Sequence, residues 1–395
     1  MQVKITADVH RGHRGYQGVI LELPTDRFCL ADAMERARVP DGGGYELHRF
    51  NDWPGFLKCA LIMAGDKTLE EVNFLADKVS GMNEEEFHVY EGILKQHHDS
   101  EQDPMTMKEL INAVYKLECF EFYPGVTNHY ELGEICMQSE MPDWIQELPD
   151  EVFAMLDAGK VGESICRNEQ GVFTEAGYVF RSSPDGPEVY DGIHLPEQND
   201  HHDGVIALRL IRADSGQAAD AGVWLELPAD EQAIRQALHT LGETNLDACV
   251  IAEAESIVPA LKFQLAGDED IRQLNTLAER ITAFSDSRTL AKYKAVLMVE
   301  DCCDLDMVLD IANNLDCYDF DPQIMSPDYY AEYILKEAGF DPDDPAFLGF
   351  DFHDYGECQL QGSGYTATAY GTVSRNDREF IHEYTKSPEQ GMTMQ

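Results

Sequence analysis

Leu117-Glu118-Cys119-Phe120-Glu121-Phe122-Tyr123 returns later in the chain as Leu315-Asp316-Cys317-Tyr318-Asp319-Phe320-Asp321, with acids matched to acids and aromatics to aromatics until the last position. Two weaker echoes flank it. Gly18-Val19-Ile20-Leu21-Glu22-Leu23-Pro24 answers Gly222-Val223-Trp224-Leu225-Glu226-Leu227-Pro228, and Asn73-Phe74-Leu75-Ala76-Asp77-Lys78-Val79 answers Asn275-Thr276-Leu277-Ala278-Glu279-Arg280-Ile281. The separation drifts from 204 residues through 202 to 198, as small insertions produce, while the order holds. Two copies of one multi-element unit follow: residues 1–180 and 204–376, joined by a linker over 181–203 and followed by a polar tail, 377–395, expected to fray.

Copy two shows the elements best. Val205-Ile206-Ala207-Leu208-Arg209-Leu210 and Val223-Trp224-Leu225-Glu226-Leu227 read as strands, and Met1 to Ile5 matches the first of them in copy one. Pro228-Ala229-Asp230 caps a helix with Ile234, Leu238 and Leu241 at helical spacing, and a third strand lies near Ala248-Cys249-Val250-Ile251-Ala252. A helical section follows. Asp270 starts one helix, Ser287 to Val299 forms another, and Leu305, Val308, Leu309, Ala312 and Leu315 stripe a third. The end section opens with a helix from Tyr329 to Ala338 stopped by Gly339, and closes on strand-like Gly364 to Thr368 and Tyr370 to Val373. The predicted class is α+β: an elongated tandem of two copies, each a small antiparallel sheet plus helix, a helical bundle section and an α/β end section.

Charge is the second organising feature. The 395 residues hold 74 acids against 29 bases, a formal charge of −45. Hydrophobic residues at 44% and aromatics at 10% supply real cores, so this is no disordered acidic tail. The excess is uneven. Residues 300–357 contain seventeen acids and one base, Lys336; residues 84–163 contain nineteen and four; the first fifty balance at seven and seven. Ordinary helix faces interleave Lys and Arg at i+3 or i+4, because like charges at that spacing cost a few tenths of a kcal/mol each. A base-free run from Asp301 to Asp321 loses that stabilisation and points to a surface kept for a partner.

Other chemistries find no support in the residues. There is no GxSxG, HExxH, Walker A or GxGxxG pattern, so no catalytic residue is assigned. The ten cysteines lack metal spacing, and the pairs His97-His98 and His201-His202 lack a wider cluster. Asp341-Pro342-Asp343-Asp344-Pro345 has prolines where a calcium loop must wind. No metal and no cofactor are therefore expected. The opening residues carry no leader-like pattern and no apolar run approaches a membrane span, so a cytoplasmic protein with reduced thiols and no membrane contact is expected.

The acidic surface is assigned to Glu300, Asp301, Asp304, Asp306, Asp310, Asp316, Asp319, Asp321, Asp341, Asp343, Asp344, Asp351, Asp354 and Glu357 in copy two, with Glu118 and Glu121 in copy one. Duplex DNA carries one negative charge per ~1.7 Å, so the net charge matches roughly 75 Å of duplex. The partner that suits such a surface is a DNA-binding protein with a basic groove, with no nucleic acid bound directly. Neutralising Asp304, Asp306 or Asp310 singly is expected to cost little, and neutralising the whole run to leave the fold intact.

The order of these features resembles the antirestriction protein ArdA family, acidic DNA mimics of conjugative elements and plasmids. The likeness rests on Trp224-Leu225-Glu226-Leu227-Pro228, on an acidic helix beginning Glu300-Asp301-Cys302-Cys303-Asp304 and on the Tyr-rich helix at Tyr329. It rests also on Asp344-Pro345-Ala346-Phe347-Leu348-Gly349-Phe350-Asp351-Phe352-His353-Asp354-Tyr355-Gly356-Glu357, which looks like that family's antirestriction motif. The resemblance covers most of residues 204–376 and, more faintly, 1–180. It implies a non-catalytic inhibitor that occupies the DNA-binding groove of type I restriction–modification enzymes and works as a dimer. Two units in one chain stand either for that dimer or for a longer mimic, and a further homodimer stays open. Copy one has an eroded motif with Lys160 inside it. The alternatives are a mimic aimed at a CRISPR effector or nucleoid protein and, in another class, an enzyme or metal-binding protein of unknown chemistry.

Overall fold

The computed structural model describes residues 1–100, 103–139, 143–196, 203–213, 222–264, 269–302 and 304–385. Cys303, His201, His202 and the last ten residues, along with part of the linker, lie outside the described residues. The elements of the first half run β1 (Gln2–Ala7), β2 (Val19–Glu22), α1 (Arg27–Arg36) and β3 (Tyr45–Asn51); then α2 (Gly55–Met63), α3 (Leu69–Ser80), α4 (Glu84–Ser100) and α5 (Met107–Val114). They close with β4 (Phe120–Pro124), α6 (His129–Gln138), α7 (Asp143–Gln146), α8 (Asp150–Phe153), α9 (Ala158–Glu169), β5 (Val172–Phe173) and β6 (Gly177–Arg181).

The second half repeats this order, without α-helical counterparts of α7 and α8 among the described residues: β7 (Ile206–Arg212), β8 (Val223–Leu227), α10 (Glu231–Leu241), β9 (Cys249–Ser256), α11 (Pro259–Gln264), α12 (Ile271–Thr282), α13 (Ser287–Val299) and α14 (Leu305–Asn313). Its end section is β10 (Tyr318–Asp321), α15 (Pro327–Glu337), α16 (Phe352–Gly362), β11 (Thr366–Thr368) and β12 (Gly371–Arg375). The class is α+β. Strand order matches too: β2-β1-β3 against β8-β7-β9, and β4-β6-β5 against β10-β12-β11. The Leu23–Pro24 and Leu227–Pro228 peptides are both cis.

Particular side chains carry the repeat. Asn73 brackets the Thr25 backbone, accepting from its N–H at 2.8 Å and donating to its carbonyl at 2.9 Å; Asn275 does the same at Ala229, at 2.6 and 3.2 Å. Buried Tyr90 donates to the Leu110 carbonyl at 3.1 Å, and buried Tyr293 donates to the Val308 carbonyl at 3.2 Å. Each phenol fixes the third helix of its bundle to the fourth, and burial pushes both far above the ordinary tyrosine pKa. Helix starts are set by Thr68 and Thr106 capping boxes and by Asp230, Asp270, Asp286 and Asp304.

The compact units cut across the repeat. One comprises Met1–Lys4, Ile20–Thr25 and Leu47–Asn199; the other comprises Ile5–Val19, Asp26–Glu46 and Asp200–Gln395. In the second unit α1 is held by a buried ionic knot. Lys294, 4% exposed, donates to Asp32 Oδ1 and Glu35 Oε2, both at 2.8 Å. Tyr370 also donates to Asp32 Oδ1 at 2.8 Å, and Arg36 donates to Oδ2 at 2.8 Å. Four hydrogen bonds around two buried charges meet the condition under which a buried pair is tolerated.

Two segments expected to be loose are docked. In the first unit Asn112 Oδ1 accepts from Val189 and Tyr190 N–H, both at 2.9 Å, and the Tyr190 hydroxyl reaches Glu71 at 2.9 Å. In the second, Asp310 accepts from the N–H groups of Glu383, Tyr384 and Thr385 at 2.9, 3.0 and 2.9 Å. Asn112 and Asp310 stand 198 residues apart, the same offset as the best sequence match. The tail is therefore docked as far as Thr385, since the N–H groups of Ile381, Glu383, Tyr384 and Thr385 reach the buried acceptors Asn314 and Asp310.

Candidate acidic interface

The 301–321 tract was expected to be one charged face; instead it is divided among four local structures. Glu300 ends the α13 region half-buried, accepts from the Tyr318 hydroxyl at 2.6 Å and lies 3.7 Å from Arg375. Burial, then that hydrogen bond, raise the Tyr318 phenol. Exposed Asp301 turns the chain at φ 46°, so the acidic helix expected to begin at Glu300 starts only at Leu305. Asp304 caps α14 by accepting from Met307 N–H at 2.7 Å, and half-buried Asp306 accepts from Gln273 at 3.2 Å. The repeat's best match proves to be a 3-10 turn leading, from Phe120 and Tyr318 on, into a strand. In β10 the ring of Tyr318 faces inward and Asp319 outward, as in β4 Phe120 faces in and Glu121 out. Both strands are sheet edges, where outward charge also discourages pairing with another chain.

Bases missing from this run in sequence arrive from elsewhere in space. Arg378 pairs with Asp316 at 2.8 Å, and Asn376 donates to Asp319 at 3.3 Å. Arg38 donates to the Pro322 carbonyl; burial lowers its pKa, and Asp321 is among the groups that oppose the shift. Lys292 is likewise lowered by burial and supported by Asp319 and Asp316. Asp310 is no surface group at all. It is 0% exposed, and although burial opposes its charge, the bonds from Thr385, Tyr384 and Glu383 hold its pKa below the ordinary Asp value. Its assignment to the partner surface fails because both oxygens face the docked tail.

The residues from 341 to 357 are arranged differently. Asp341 accepts from Asp343 N–H at 3.1 Å, Asp344 from Ala346 N–H at 2.8 Å, and Asp351, the N-cap of α16, from Asp354 N–H at 3.0 Å. Asp354 and Glu357 follow at i, i+3 on α16. All five are exposed, and among the described residues none is ion-paired with Lys or Arg. Asp343 is the exception, meeting Arg14 at 3.0 Å. Arg14 also stacks 3.8 Å above the Phe352 ring and lies 3.7 Å from Glu332. His353 faces Asp328 at 2.9 Å, and that hydrogen bond, more than burial, decides its pKa, which is raised. Sequence reading missed Asp328 and Glu332, which α15 adds to the surface, and it missed Arg14, more than 300 positions away.

A close helix crossing positions these carboxylates. A Cβ on Gly356 would collide with the Pro327 carbonyl, so α16 can approach α15 only with glycine there. The aromatic–Gly step of the motif is thus partly a packing device. Copy one shows the same crossing with Gly162 against His129 and Gly133 against Ala158. Phe347, Phe350, Phe352 and Tyr355 pack edge to face or tilted above α16, with Phe350–Phe352 centroids 4.9 Å apart, and Leu348 stands 92% exposed at the loop tip. In copy one Glu118 and Glu121 are exposed, and the corresponding helix opens with Asp157 capping Lys160 N–H and neutralises Glu163 with Arg167 at 2.7 Å.

Among the described residues no three His, Cys, Asp or Glu side chains are grouped to hold a metal ion, and no helix is long and apolar enough to cross a membrane. No protein-family model matches the chain, and no curated protein matches it in sequence.

Proposed function

We propose that the protein is a non-catalytic DNA mimic that occupies the basic groove of a DNA-binding enzyme in the cytoplasm, a type I restriction–modification complex being the target that the resemblance favours. The supporting observation is the set Asp341, Asp344, Asp351, Asp354 and Glu357: exposed, not paired with Lys or Arg among the described residues, and three of them held by backbone N–H groups. Carboxylates fixed this way lose little freedom when a partner's Lys and Arg close over them, as phosphates on a stiff duplex lose little. A groove built for phosphates meets charges of the right sign already in place, so association is fast and salt-sensitive. The weight of the mimicry moves accordingly from the 301–321 run to the end section, with Asp304, Asp319, Glu118 and Glu121 as outlying charges.

The test is to change the five residues together to Asn or Gln. Asn caps a helix about as well as Asp, so the fold is expected to persist with unchanged far-ultraviolet dichroism while inhibition of the restriction enzyme disappears. Full inhibition by the neutralised protein would remove the reading.

A further inference from the structure

Beside the acidic end section lies a cavity of about 310 Å³ lined by Asp321, Tyr329, Tyr330, Tyr333, Leu360 and Tyr365. Four phenol rings around one opening are unusual for a packing site, and these rings pack on no other ring: among the described residues none makes an aromatic pair or a side-chain hydrogen bond. The contrast is the neighbouring Phe347–Phe350–Phe352 cluster, whose faces and edges are taken up by one another. Tyr333 is 52% exposed, so its face is open to solvent.

The tyrosines are not needed to build the helix pair. Copy one crosses the same two helices with Glu131 where copy two has Tyr329 and Ile135 where it has Tyr333, at the offset of 198 that pairs His129 with Pro327 at the crossing. Tyr329 and Tyr333 therefore have no aromatic counterpart in copy one. Aromatic faces carry negative potential and attract a cation within about 6 Å of the ring centre, and here Asp321 adds a full negative charge to the lining. Two bases lie within electrostatic reach of the lining, Arg38 of Asp321 and Lys336 of Tyr329, but their hydrogen bonds go to the Pro322 carbonyl and to Glu332. The end section also holds one guanidinium in this manner, since Arg14 stacks on Phe352 between Asp343 and Glu332.

We infer that the four-tyrosine pocket is a receptor for one cationic side chain, a guanidinium or an ammonium, projecting from the basic groove of the partner. The inference rests on the mimic reading for who supplies that side chain, but its chemistry is testable without a partner. The full chain, with ¹³C-labelled tyrosine rings, is titrated with N-acetyl-arginine amide and, separately, with the neutral isostere N-acetyl-citrulline amide. Saturable shifts of the Tyr329, Tyr333 and Tyr365 ring signals are expected with arginine and not with citrulline. Tyr333→Ala and Tyr365→Ala should each weaken arginine binding about fivefold, the loss of one ring from a solvent-accessible cation–π contact, while Tyr333→Phe, which keeps the ring, binds as before. No saturable shift, equal response to citrulline, or indifference to both alanine changes would overturn the pocket. The two readings separate cleanly: arginine binding without competition against DNA keeps the pocket and removes the mimic, and competition without arginine binding does the reverse.

Discussion

Asp310 sits in an acidic run yet serves the fold, and replacing it separates those roles. Its two oxygens receive three backbone N–H groups and the Thr385 hydroxyl. In Asp310→Asn one oxygen remains for Glu383 and Tyr384, as Asn112 does for Val189 and Tyr190, but the new amide group points donors at the donors of Thr385. Hydrogen bonds to charged groups contribute ~1.5–3 kcal/mol each, and the tail can escape the mismatch by leaving the surface. The expected loss is about 2 kcal/mol for Asn and about 3–4 kcal/mol for Ala, which also releases the packing of Phe380 and Tyr384 on the core. Urea unfolding measures the loss, and hydrogen exchange should localise it to the amides of 383–385. Because the folded carboxyl is depressed, its contribution is complete above the ordinary Asp value of ~3.9 and is lost as pH falls through the lower folded value. An unchanged urea midpoint with unchanged exchange, together with lost inhibition, would refute this placement and return Asp310 to the partner surface.

Lys294→Met should destabilise the second unit by about 2–3 kcal/mol, less than a fully stranded charge costs, since Asp32 keeps only Arg36 and Tyr370; chemical denaturation checks it. Gly356→Ala should cost about 3 kcal/mol or more by forcing α16 away from Pro327, and faster amide exchange in 327–337 and 352–362 would show it. His353 titrates above its ordinary value, so its pairing with Asp328 is complete below ~6.5 and fades as pH rises through the folded value. In Asp328→Asn the NMR-detected His353 pKa should fall back; a constant value would show that Asp328 is not the cause.

The duplication was legible because its best-conserved stretch keeps an aromatic–acid alternation at a constant offset, and α13 was readable to its bounds because Ser287 to Val299 carries an uninterrupted helical pattern. The same alternation was not recognised as a strand, since acids at 316, 319 and 321 suggested a solvated face; the decisive partner, β12, lies more than 50 residues on. Helix α16 was not anticipated: the stretch from Asp344 to Glu357 reads only as a motif, and nothing local shows that Gly356 lies inside a helix to let two helices touch. The docked tail was missed because no local pattern marks an acid as buried. Two signals were available: Asn112 and Asp310 occupy equivalent positions, and Phe380 and Tyr384 are aromatics in an otherwise polar segment. Of the site, the exposed carboxylates from 341 to 357 were readable from charge alone, whereas the bases that neutralise the 301–321 run depend on tertiary structure and were not.

The most direct measurement is displacement of a fluorescent duplex from a purified type I restriction–modification complex by the full chain, followed by anisotropy at low and moderate salt. The account predicts complete, competitive displacement, with an affinity that falls steeply as salt rises because many screened charges make the contact. A ternary complex in which the duplex stays bound in its groove, or displacement indifferent to salt, would contradict it.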